Sequence, residues 1–204
     1  MKRVLFAAVS LSFIAHPFYA VAVGQVAEGS NRPSIAALQK KAEAGDVKAQ
    51  SALGEAYSFG QGVPQSDEKA AFWYQKAAKK GYAPAQFHLG NFYHNGDGLP
   101  KSNEQAIFWW QKAAEQGEAK AQFNVAIAYH TGQAVPKSDE RFIFWMEQAA
   151  NQGAVMAQMV LGTAYANGQG AAKDKKKAAY WYQKAADNGN TDAQKMLKAL
   201  NDQH

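Results

Sequence analysis

From Gly45 onward, apolar and small residues recur at two intervals, one nested inside the other. The short interval is helical. Ala49, Leu53, Ala56 and Tyr57 lie at offsets of four, seven and eight, one stripe of a 3.6-residue period. Gly60-Gln61-Gly62-Val63-Pro64 breaks that stripe, since glycine accepts left-handed backbone and proline has no N–H to donate. Ser66 then stands where an N-cap belongs, with Asp67 and Glu68 in the positive first turn. A second stripe, Ala70, Trp73, Tyr74 and Ala77, runs to a stop at Gly81. The pattern predicts two helices joined by a turn. Ser102 and Gln105 have the spacing of a full capping box at the matching place one unit later. Period-two alternation persists nowhere, so no strand is expected.

The long interval is 36 residues, and it does not slip. It relates Gly45, Gly81, Gly117, Gly153 and Gly189, and likewise Ala49, Ala85, Ala121, Ala157 and Ala193 with the glutamine after each. Tyr57, Tyr93, Tyr129 and Tyr165 keep it, as do Trp73, Trp109, Trp145 and Trp181. Periods between about 20 and 50 residues mark stacked arrays whose units bury their faces on one another. Gly54, Gly90 and Gly162, with Ala126 in the third unit, remove side chains where the helices of a pair should cross. The Trp73 and Tyr57 equivalents are expected to fill the flanking space, each ring contributing a few kcal/mol. At one end, 33–44 reads as a lone second helix capped by Asn31 or Ser30. At the other, 191–200 reads as a lone first helix with Lys198 in the Gly54 position. Charged terminal helices of this kind keep a solenoid soluble.

Units of the form Ala-Gln-x-x-Leu-Gly-x-x-Tyr, Gly-x-Gly-Val-Pro and Ala-x-x-Trp-Tyr-x-Lys-Ala-Ala resemble Sel1-like repeats, relatives of the tetratricopeptide repeat. The first unit carries them at 49–57, 60–64 and 70–78. The third departs with Ala126, Ala134 and Phe142, and the fourth has Ala171-Ala172 in place of the proline. The resemblance implies an all-α, right-handed α-solenoid of about four 36-residue helix-turn-helix repeats with single-helix caps. It also implies that the first helices line a concave surface used for protein–protein contact. Exported bacterial members act as regulators of envelope signalling, as host-interaction factors, and as immunity proteins that neutralise secreted phospholipase effectors. An immunity protein against a lipase-type toxin is therefore the alternative to a general scaffold.

Which face is free to bind follows from geometry. With Leu53 at zero and about 100° per residue, Ala49, Gln50, Ala56 and Tyr57 fall on the packed side. Lys48, Ser51, Glu55 and Ser58 fall opposite. The same positions read Pro84, Phe87, Asn91 and His94 in the second unit, then Lys120, Phe123, Ile127 and His130. The fourth unit gives Met156, Met159, Thr163 and Ala166. Apolar residues on a face expected to meet solvent point to a partner, and methionine adapts to varied ligands. Internal packing is the competing reading, but packing positions should repeat in every unit, and Ser51 breaks the series. Phe87 and Phe123 are expected to anchor a partner's helix or extended segment, with Ile127, Met156, Met159 and Thr163 beside them. Asn91, Asn124, His94 and His130 would supply rim hydrogen bonds.

Residues 1–22 have a different character. Lys2 and Arg3 precede an apolar run over 4–15, Pro17 breaks it, and Ala20-Val21-Ala22 offers the small residues of a cleavage site. About a dozen apolar residues fall short of the about 20 that span a bilayer. The expectation is a secretory signal cleaved after Ala22, then a linker and capping helix to residue 44, repeats over 45–188, and a cap and tail over 189–204. Export sends the protein to the periplasm of a Gram-negative bacterium or to the exterior. Losing Lys2 and Arg3 lowers the net charge from +5 to +3, a near balance that, with export, argues against nucleic acid. No stable membrane insertion is expected once the leader is gone. The absence of cysteine excludes disulfides, thiolate metal sites, thiol nucleophiles and lipoprotein-type lipidation. Apolar residues, 47% of the chain, suffice for a core.

Little else points to chemistry, and no cofactor is expected. Ser66-Asp67-Glu68-Lys69 matches the Ser-x-x-Lys of penicillin-recognising enzymes. The serine recurs at Ser102 and Ser138 as a cap, the lysine does not, and no Lys-Thr-Gly follows, so a β-lactamase-like enzyme is a remote alternative. His94 and His130 occupy equivalent positions, but no carboxylates are spaced to complete a metal site. Lys173, Lys175, Lys176 and Lys177 form a dense run that could attract anionic lipid or an acidic partner; a solvated helix start is the plainer reading. Positive charge at that point opposes the helix dipole, and fraying of the helix is expected.

Overall fold

Ser66, Ser102 and Ser138 each accept the backbone N–H three residues onward, at 3.2–3.3 Å, and Asp174 does the same at 2.9 Å. These four caps fix where the second helix of every unit starts. The first helices end with equal regularity, each on a left-handed glycine: Gly60, Gly96, Gly132 and Gly168. The computed structural model describes residues 34–202; the leader read over 1–22, the rest of the segment through residue 33, and residues 203–204 lie outside the described residues. In chain order the helices are α1 (Ile35–Glu43), α2 (Val47–Phe59), α3 (Asp67–Lys79), α4 (Ala83–Asn95) and α5 (Asn103–Glu115), followed by α6 (Ala119–Thr131), α7 (Asp139–Asn151), α8 (Val155–Asn167), α9 (Lys175–Asp187) and α10 (Thr191–Asn201). Among the described residues there is no strand. Each first helix packs on the second helix of its own unit and on that of the unit before. The result is an all-α solenoid of two helical layers.

Three sequence expectations change in detail. Ser34 caps α1, accepting from the Ala37 N–H at 3.2 Å, whereas Asn31 and Ser30 lie outside the described residues. Only half of the Ser102 capping box forms. The Ser102 N–H donates to the Tyr93 carbonyl and its hydroxyl to Glu104, so nothing is left for the Gln105 side chain to satisfy. The lysine-rich start of α9 is not shortened, because Asp174 supplies both the cap and a negative charge at the positive end.

The crossing of the two helices depends on glycine. A Cβ on Gly90 would lie 2.4 Å from Cδ1 of Trp110, and one on Gly162 2.5 Å from the Tyr182 ring. Gly54 faces Tyr74 in the same way. The ring at the crossing is therefore the one that follows each Trp73 equivalent, while Trp73 and Tyr57 themselves pack in the core of the first unit. In the third unit the matching pair is Ala126 and Met146, both at 0% exposure. A flat ring needs a bare backbone against it; a flexible thioether chain leaves room for a methyl group.

Buried amides lock the stacking. Gln50, Gln86, Gln122 and Gln158 donate to the Ala42, Ala78, Ala114 and Ala150 carbonyls at 3.0–3.1 Å. Each acceptor lies in the last turn of the preceding second helix and also receives the N–H of the glycine three residues on. Gln116, Gln152 and Asn188 in turn donate to the amide oxygens of Gln86, Gln122 and Gln158. The first unit has Lys80 at that place, and its ammonium donates to the Gly45 carbonyl at 2.7 Å instead. Gln50 Oε1 is consequently buried without a hydrogen-bond partner.

Candidate protein-binding face

The ten residues singled out from the sequence lie on three first helices, α4, α6 and α8. Met156 is 59% exposed. Phe87, Asn91, His94, Phe123, Asn124, Ile127, His130, Met159 and Thr163 are half-buried. Phe87, Phe123, Ile127 and Met159 pack with part of their surface against the main core cluster and leave the rest open. Ser51, at the position of Phe87, is itself buried at 8%. That position thus serves packing as well as exposure, because neighbouring units cover it from the side.

The polar residues of the face are engaged within the protein. Asn91 accepts from the Trp110 indole N–H at 3.0 Å and from the Asn124 amide at 3.4 Å. His94 Nδ1 is 3.2 Å from Asn103 Oδ1. Thr163 donates to the Met159 carbonyl at 3.0 Å and its hydroxyl lies 3.0 Å from that of Tyr182. The His130 ring packs on Phe142 at 4.7 Å, and its Nδ1 is buried without a partner. The asparagines and threonine therefore brace the layers. His88, one residue beyond Phe87, stacks on Tyr74 at 4.9 Å. Burial, reinforced by the nearby Lys120 ammonium, pushes its pKa down to about 4. Lys120 also lies 6.0 Å from the Phe87 ring centroid and is exposed.

Phe59, the last residue of α2 and by the helical wheel on the flank of the outer face, is 65% exposed. One feature escaped the sequence reading. On the other layer, Phe72, Phe108, Phe144 and Tyr180 occupy one position in four successive units, each about half exposed. Their 36-residue spacing is visible in the sequence, whereas their exposure depends on how the second helices pack.

The Ser66-x-x-Lys69 match has no catalytic geometry. The Ser66 hydroxyl donates to Glu68 at 3.0 Å and accepts the Lys69 backbone N–H, while the Lys69 ammonium sits 5.3 Å above Tyr57. The lysine of the motif is thus turned away from the serine oxygen, which serves as a helix cap. Tyr165 donates to Glu147 at 2.9 Å; burial, then that carboxylate, raises its pKa to about 12 and keeps it a neutral structural donor. Among the described residues, no group of three or more His, Asp or Glu side chains is arranged to hold a metal ion, and no helix is long and apolar enough to cross a membrane.

Comparison with known proteins agrees with this architecture. The Sel1 repeat model matches residues 47–82, 83–118, 119–153 and 155–190. The crystal structure of c5321, a protective antigen present in uropathogenic Escherichia coli strains and displaying an SLR fold, is 38% identical with a TM-score of 0.77. The match covers 79% of this chain and 35% of that one. A Sel1 repeat protein from Oxalobacter formigenes is 36% identical with a TM-score of 0.72, over 76% of this chain and 63% of the other. The chain thus spans about a third of the first of these proteins and under two thirds of the second. No curated protein matches it. Repeat by repeat, from the capped second helices to the glycine-ended first ones, the chain belongs to the Sel1 repeat family.

Proposed function

We propose that this chain is an exported, non-catalytic scaffold that holds a partner protein against its first-helix face. One observation carries the reading: Met156, 59% exposed, stands one turn from a row of half-buried Phe87, Phe123 and Met159 on a face whose composition changes from unit to unit. Variation along a repeat array suits one particular partner with its own surface, and aromatic and methionine side chains suit the desolvated centre of an interface. The inward commitment of Asn91, Asn124 and Thr163 shifts recognition towards apolar contact, with Lys120 and the exposed Phe59 at its margins. Export rests on the order of charge, apolar run and small residues over 1–22. The use of Ser66 as a helix cap, with Lys69 turned onto Tyr57, supports a role without catalysis.

Affinity capture from a periplasmic extract tests the assignment. Phe87→Asp with Phe123→Asp should abolish recovery of the partner while the circular dichroism melt stays within a few degrees of wild type. Undiminished capture would refute the assignment, and so would loss of the fold, because the two rings would then be internal packing.

A further inference from the structure

The second helices carry a feature independent of the partner face. Phe72, Phe108, Phe144 and Tyr180 are 49%, 46%, 50% and 51% exposed. Each stands edge-on to the tryptophan that follows it, with centroids 4.9–5.1 Å apart. In three of the four units a lysine one turn onward holds its ammonium near the ring: Lys76 at 4.7 Å, Lys112 at 5.0 Å and Lys184 at 5.5 Å. The third unit has Gln148 there. On the other side of the row, the Glu68 and Glu104 carboxylates are drawn onto the cap hydroxyls of Ser66 and Ser102, Glu140 holds the same place in the third unit, and Lys176 takes it in α9. The array is thus lined by four rings with a row of cations along one side.

A side chain presented identically by every unit reads a partner that is itself periodic or planar, in contrast to the varied first-helix face. Lysine over the ring face removes the flat surface on which a sugar would stack and leaves a ring edge beside an ammonium. That combination fits a phospholipid headgroup layer, where aromatic rings settle at the interface and lysines meet phosphate. We propose that this row docks the protein onto an anionic phospholipid surface, without insertion of any helix.

Flotation of the purified protein with vesicles tests this directly. Vesicles of phosphatidylglycerol and phosphatidylethanolamine should carry the protein upward and shift its tryptophan emission to the blue, while phosphatidylcholine vesicles should not. Replacing Lys76, Lys112 and Lys184 with Gln, all at exposed sites that leave the fold intact, should weaken partitioning roughly a hundredfold. Phe108→Ser with Phe144→Ser should reduce the emission shift. The Phe87→Asp, Phe123→Asp protein should float like wild type, which separates this surface from the partner face. Equal binding to both vesicle types, binding to neither, or unchanged flotation of the lysine variant would overturn the proposal. Retention on insoluble polysaccharide without flotation would do so as well.

Discussion

The second and third units have the same length, the same caps and the same backbone path, yet they solve their internal contacts differently. The second crosses its helices with Gly90 on Trp110 and ties Trp110 to Asn91. The third uses Ala126 with Met146 and places Ile127 where Asn91 stood. The second turns through Gly98 at φ 61°, where a Cβ would strike the backbone of Asp67; the third turns through Ala134 at φ 56°. His94 has Asn103 as a partner, and His130 Nδ1 has none. One scaffold therefore tolerates exchange as long as both members of a contact change together.

Moving single residues between the two units breaks that pairing. Gly90→Ala places the third unit's residue against the second unit's ring, and should cost about 3 kcal/mol in urea unfolding. Adding Trp110→Met should recover part of the loss; a single variant as stable as wild type would show that the crossing is loosely packed. The next largest effect concerns His88, whose counterpart in the third unit is Asn124. The unfolded imidazole takes up a proton near pH 6.5 and the folded one only near 4, so the unfolded chain binds more protons in between. Stability is full above pH 6.5 and should fall by about 2–3 kcal/mol as the pH drops towards 4. His88→Asn should flatten that slope, measured as melting temperature against pH. The smallest effect lies in the turn. Ala134→Gly copies the second unit, relieves a left-handed alanine and should stabilise by about 1 kcal/mol, raising Tm by about 2–4 °C.

The repeat architecture was open to sequence reasoning because it depends on register: Gly45 to Gly189 and Ala49 to Ala193 keep one interval, and each unit ends in residues with few backbone choices. The binding face was harder to read. A wheel assigns one side of a helix to the core and the opposite side to solvent, but in a stack the neighbouring units also cover the flanks. Ser51 is buried and Phe87 half-buried for that reason. Nor does residue type reveal which polar groups find internal partners. Asn91 turns inward only because Trp110 brings an indole N–H to it across the crossing. The row at Phe72 sits between buried Ala71 and Trp73, so its exposure emerges only once the layer behind it is placed.

The buried amide chain has a bearing on how such proteins change length. Because Gln86 and Gln122 reach the same kind of carbonyl, excising 83–118 would bring Gln122 to Ala78 with the glutamine donors still matched, whereas a cut that is not a whole number of units would strand them. Growth and shrinkage by whole modules is thereby favoured at the level of hydrogen bonding, and a family can vary the span of its arrays without redesigning a single joint.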